Sequence, residues 1–128
     1  MPVQRIRKSQ WLCRVAMFAA LALFCEPALA QHVPGLALAE GLSLAECDAL
    51  ADWRSTGLFD ARERAALEYA EAMTLSTAVS DEVFADVRRH FDDREIVELS
   101  VLIGTYIMHN RVMKALAIDL EPEENRGR

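Results

Sequence analysis

Cysteine is scarce, with three in 128 residues, at positions 13, 25 and 47. They are too few and too unevenly placed for a disulfide scaffold, and no Cys-x-x-Cys pair exists to form a redox or zinc couple. The five glycines, the four prolines and the lack of any β-branched alternation argue against a strand-rich fold. Basic charge is short as well: 14 Lys+Arg face 20 Asp+Glu, for a net charge of −6. A surface that neutralises nucleic-acid phosphates needs the opposite balance, so nucleic acid is excluded as a partner class. There is no Ser/His/Asp constellation, phosphate-cradling glycine loop, HExxH motif or His/Asp cluster, so neither metal nor cofactor is expected. What remains is a chain of single-domain length, 52% hydrophobic and 27% charged, with the composition of a folded, mostly helical protein.

Charge is unevenly spread. Residues 1–30 hold Arg5, Arg7, Lys8 and Arg14 against Glu26, a balance of +3, and residues 31–128 hold 10 basic and 19 acidic residues, a balance of −9. Between the basic start and Pro27 runs an uncharged stretch of eleven residues, Val15 to Cys25. A bilayer takes roughly twenty, so no stable membrane span is expected. Two readings fit. A basic start, a short apolar run and the small-residue pattern Ala28-Leu29-Ala30 describe a secretory signal peptide cleaved before Gln31, which would make the protein exported or periplasmic. Alternatively, the Ala- and Leu-rich run is a first helix of the mature protein.

Downstream, helix signals are frequent. Ser43 and Glu46 form a capping box that opens a short helix to about Trp53, with Leu44, Cys47, Leu50 and Ala51 on one face. Asp60 and Glu63 repeat the box ahead of a helix through about Thr74, with Ala66, Leu67, Ala70 and Met73 inward. Ser80-Asp81-Glu82 puts two acids at a helix start, where the macrodipole favours them, and Val83, Phe84, Val87 and Phe91 follow at helical spacing. Asp92-Asp93-Arg94-Glu95 begins the last helix, to about Ala117. Its apolar positions from Ile96 to Ile107 fall on every side, which predicts a helix surrounded by neighbours. The expected architecture is an all-α bundle of four to five helices, with the charged tail 122–128 disordered.

Few residues suit chemistry. His32, in Ala30-Gln31-His32-Val33-Pro34, could pass protons either way near neutral pH, or be a surface residue at a helix end. Cys25 lies seven residues earlier; on one helix the two share a face but stand about 10.5 Å apart along the axis, too far for a direct hydrogen bond. Cys47 reads as a small core residue. His109, Asn110 and Arg111 end the apolar run with three polar side chains, which suits a helix end, a subunit contact or a substrate pocket. His90, Glu68 and Glu71 read as solvated.

Several stretches resemble the carboxymuconolactone decarboxylase-like family, which includes the alkyl hydroperoxidase D-like proteins. They are Phe59 to Thr74, Val79 to Phe84, His90 to Leu99, and Asn110-Arg111 with Ala115 to Glu121. The resemblance spans about residues 30–121, giving a division into an apolar segment 1–30, a helical domain 31–121 and the tail. It implies an all-α, alkyl hydroperoxidase D-like fold and assembly as a trimer or hexamer. The family's peroxidase branch carries Cys-x-x-Cys-x-x-x-His; counted back from His32, the first Cys is Cys25 and the second is Ala28, so a two-thiol cycle cannot run on this motif. Another branch has Glu-Tyr-Glu-Trp-Ala-Gln-His-Val-Pro, similar to this chain at Ala30–Pro34 and at Glu26. That similarity crosses the supposed cleavage point, which favours a remodelled first helix and a cytoplasmic protein.

Three functions follow as expectations. One is a peroxiredoxin-like hydroperoxide reductase with Cys25 as thiol, His32 as proton relay and Glu26 beside them. Another is a cofactor-free decarboxylase of a small lactone acid, using His32 and the bidentate carboxylate grip of Arg111. The third is an oligomerisation module that has lost catalysis.

Overall fold

The computed structural model describes residues 43–118, and within them the chain is helical with no strand. Helix α1 (Leu44–Ala49) runs into a 3-10 turn (Leu50–Asp52); α2 (Ala61–Leu75), α3 (Asp81–His90) and α4 (Asp93–Ala115) follow. The segments 1–30 and 122–128, with their proposed boundaries, lie outside the described residues.

Local signals set the helix starts. Asp60 accepts from the Glu63 backbone N–H at 2.8 Å while Glu63 accepts from that of Asp60 at 3.0 Å. Asp92 and Glu95 repeat this reciprocal box at α4, and Ser43 and Glu46 do so at α1. Ser80 caps α3, which begins with Asp81 and Glu82 and ends with Arg88, Arg89 and His90, acids and bases each at the favoured pole. Each such cap is worth about 1 kcal/mol.

Helix α2 is the hub. Ala65, Ala66 and Ala70 are buried, and their small side chains let α3 and α4 approach closely on either side. Leu67 and Tyr69 fill the flanks, Val87 comes in from α3, and Ile96, Leu99 and Ile103 come in from α4. Phe91, in the two-residue link between α3 and α4, is buried against the same core. Leu50, Trp53 and Phe59 close one end.

The sequence reading needs four corrections. Leu44 is exposed rather than inward: α1 is only six residues long, and burial begins at Leu50 and Trp53. The side chains of Cys47 and Ala51 lie outside the described set. Phe84 is partly exposed: its ring lies at the edge of the α2–α3 contact, 6.4 Å from the Tyr69 ring, while Val87 is fully buried. Among the described residues the last helix has neighbours on one side: the stripe Ile96, Leu99, Ile103 is buried, Leu102 and Ile107 are partly buried beside it, and Val97, Val101, Met108 and Val112 on the opposite side are exposed. Finally, α4 stops at Ala115, two residues early. Ala117 takes a left-handed backbone (φ 49°), and the N–H groups of Ala117 and Ile118 turn back to the carbonyls of Lys114 and Met113.

Candidate functional site

Two polar clusters hold the described helices together. The first fixes the chain entering α2. Arg64, one turn into α2, donates to the carbonyls of Phe59 (3.1 Å), Arg54 (3.3 Å) and Thr56, so one guanidinium gathers the 54–59 loop. Trp53 is buried, and its indole N–H donates to Glu71 Oε2 at 3.1 Å. Arg54 donates to the same oxygen at 2.7 Å and lies over the Trp53 ring, 4.2 Å from its centroid. Glu71 is therefore a half-buried anchor rather than a solvated acid; Glu68 stays at the rim, 4.0 Å from Arg54. Sequence alone gives no sign of this, because the partners are 17 and 18 positions apart.

The second cluster joins α2 to α4. Arg62 donates to Glu95 Oε1 at 2.9 Å, with its guanidinium 4.6 Å from the centre of the Phe91 ring. Seven residues further along α2 and five further along α4, the Tyr69 hydroxyl lies 2.8 Å from Ser100 Oγ, which in turn donates to the Ile96 carbonyl at 2.6 Å. Hydroxyl, hydroxyl and carbonyl thus form a short, partly buried chain at the α2–α4 contact that satisfies the polar end of Tyr69. On the outer side of α4, the hydrogen bond from Arg94 to Glu98 (2.8 Å) and the Glu98 charge raise the Arg94 pKa above its ordinary value.

These clusters are structural in character. Among the described residues, no three His, Cys, Asp or Glu side chains gather where they could hold a metal ion. The expected catalytic residues His32, Cys25 and Glu26 lie outside the described residues. Arg111 and His109 are exposed on the last turns of α4, and Asn110 beside them is half-buried. The structure does not bring these three to either polar cluster. His90 is half-buried at the end of α3. Among the described residues, no helix is long and apolar enough to cross a membrane.

The comparison with solved structures decides the fold. A crystal structure of an Agrobacterium tumefaciens protein of unknown function, named as a proposed antioxidant defence protein AhpD, matches with a TM-score of 0.71 at 25% identity. The match covers 90% of this chain and 80% of that one. The fold is AhpD-like. No family model matches the chain. By sequence, the chain is 41% identical to the uncharacterised protein YnjA of Escherichia coli strain K12 over 71 residues, which is 55% of this chain and 39% of YnjA. It is 35% identical to the uncharacterised protein YdfG of Bacillus subtilis strain 168 over 66 residues, 50% of this chain and 45% of YdfG. The matches thus span less than half the length of these curated relatives.

Proposed function

We propose that this AhpD-like chain is a hydroperoxide reductase working with one thiol. The observation that carries the reading is the likeness to the Agrobacterium structure, whose name proposes antioxidant defence. Cys25 and His32 add to it by matching the first thiol and the imidazole of the peroxidase motif. The Cys25 thiol gives its proton to His32 through an intervening water or second residue, and the thiolate attacks the outer peroxide oxygen. The O–O bond breaks, an S–O bond forms, and the departing alkoxide takes the proton from His32. Sulfur is oxidised to a sulfenic acid and the hydroperoxide is reduced to an alcohol. With Ala28 where a second thiol would stand, an external low-molecular-weight thiol resolves the sulfenic acid, releasing water. A second equivalent of that thiol then restores Cys25 and leaves as the disulfide.

The reading includes assembly as a homo-oligomer, residues 1–30 retained as a remodelled first helix, and a cytoplasmic location. The test is hydroperoxide consumption with a monothiol reductant, alongside trapping of the sulfenic acid with a cyclic 1,3-diketone. Cys25→Ser should abolish both signals and His32→Ala should slow turnover at least tenfold; a Cys25→Ser protein as fast as wild type overturns the reading. Intact mass of the cell-made protein bears on the same point, because loss of residues 1–30 would remove Cys25.

The exposed guanidinium of Arg111 favours a second reading, decarboxylation of a small lactone acid with Arg111 holding the carboxylate and His32 moving the proton. It predicts turnover of such an acid that falls with Arg111→Ala and is indifferent to Cys25→Ser.

A further inference from the structure

Residues 43–53 are held to the bundle differently from its other helices. Among the described residues, α2 packs along α3 and α4, whereas α1 and the 3-10 turn pack mainly against each other. Ser43, Leu44, Ala45 and Asp48 are exposed. The described side chains that bury this segment are Leu50 and Trp53, with Ala49 partly buried beside them. Its polar hold on α2, among the described residues, converges on one oxygen: Glu71 Oε2 accepts from the Trp53 indole N–H at 3.1 Å and from Arg54 at 2.7 Å. Helix α1 has six residues, and an isolated helix needs about 12–15 to persist in water. It therefore keeps its shape only while Leu50 and Trp53 are seated.

The loop that follows is fastened separately. Arg64 gathers the carbonyls of Arg54, Thr56 and Phe59, and the Phe59 ring is buried. None of these bonds involves Glu71, so the loop stays on α2 when the Glu71 contacts part. The boundary falls at Arg54, whose backbone is held by Arg64 and whose half-exposed side chain is held by Glu71.

We propose that residues 43–53 form a strap that leaves α2 as a unit while α2, α3 and α4 stay folded, with Glu71 as its latch and the Arg64-held loop as its fixed end. Release parts Glu71 from Trp53 and Arg54, unwinds α1, and uncovers the end of the core that Leu50 and Trp53 close. Partial opening of this kind belongs to segments with few buried side chains beside a well-packed remainder. The strap involves no step of the thiol chemistry and stands or falls apart from it.

Hydrogen exchange on the full-length protein separates strap release from global unfolding. The chain holds two tryptophans, and the indole N–H signal missing from Trp53→Phe belongs to Trp53. Below the unfolding transition, that proton should be protected about tenfold less than the backbone N–H of Leu99, and its exchange should depend less on urea, because release exposes less surface than unfolding. Ile103→Val weakens only the part that stays folded. It should speed exchange at Leu99 about fivefold and leave the Trp53 indole unchanged. Glu71→Gln keeps an acceptor but removes the charge, and should speed the Trp53 indole about fivefold. Equal protection and equal urea dependence at the two sites, or an Ile103→Val protein in which both speed up alike, overturns the strap. A folded Glu71→Gln protein with unchanged indole exchange overturns the latch. If Glu71→Gln fails to fold, the wild type and Ile103→Val decide the matter between them.

Discussion

Arg62 on α2 donates to Glu95 on α4 at 2.9 Å, and the same Glu95 closes the α4 capping box with its other oxygen, accepting from the Asp92 N–H at 3.0 Å. One carboxylate therefore starts a helix and ties it to its neighbour. Removing it should cost both. Glu95→Ala is expected to lower stability by about 2–4 kcal/mol, combining a lost cap with a half-buried guanidinium left short of its anion. Glu95→Gln keeps the box geometry and a neutral acceptor, and should cost about 1 kcal/mol. Urea unfolding followed by circular dichroism separates the two; equal losses for both variants would show that the carboxylate charge carries the whole effect and the cap geometry kept by glutamine adds nothing.

Tyr69→Phe removes one hydroxyl from the chain linking Tyr69, Ser100 and the Ile96 carbonyl. Ser100 keeps its bond to that carbonyl, so no buried group is stranded and the loss should be modest, about 1 kcal/mol. Ser100→Ala leaves the Tyr69 hydroxyl buried without this partner and should cost more than Tyr69→Phe. The reverse order in thermal unfolding would contradict the assignment.

Arg64 reaches the carbonyls of Arg54, Thr56 and Phe59 with a planar fork. Lysine presents its donors from a single point and cannot reproduce that spread. Both Arg64→Lys and Arg64→Ala should therefore loosen the 54–59 loop, seen as faster amide exchange there and earlier proteolytic cutting. Unchanged exchange in the lysine variant would mean that a single positive charge is enough.

Ala117 holds a left-handed backbone that costs an L-residue with a Cβ about 1 kcal/mol and costs glycine little. Ala117→Gly is expected to stabilise the protein by about 0.5–1 kcal/mol by completing the turn that ends α4. A neutral or lower midpoint in urea would show that this turn contributes little to folding.

What the sequence makes legible is what neighbouring residues decide. Ser43, Asp60, Ser80 and Asp92 mark the four helix starts because a cap and its partner are three residues apart. The inward face of α2 follows from periodicity, and Ala66, Leu67 and Ala70 are buried as expected. Periodicity fails on α4 because a helix apolar all round does not say which side its own chain covers; α2 and α3 cover only the side of Ile96, Leu99 and Ile103. The Glu71 anchor is illegible for another reason, since a carboxylate among solvated acids gives no sign of an indole 18 positions away. Of the expected site, Arg111 lies on α4, while Cys25, Glu26 and His32 lie outside the described residues.

The setting of Trp53 gives the protein an intrinsic optical gauge. Its indole donates to the Glu71 carboxylate with the Arg54 cation over the ring, so its emission colour and intensity depend on the α1 segment staying seated on α2. With Trp11 replaced by Phe it becomes the sole emitter, and a red shift would record that segment peeling away before the rest of the bundle melts, with no dye attached.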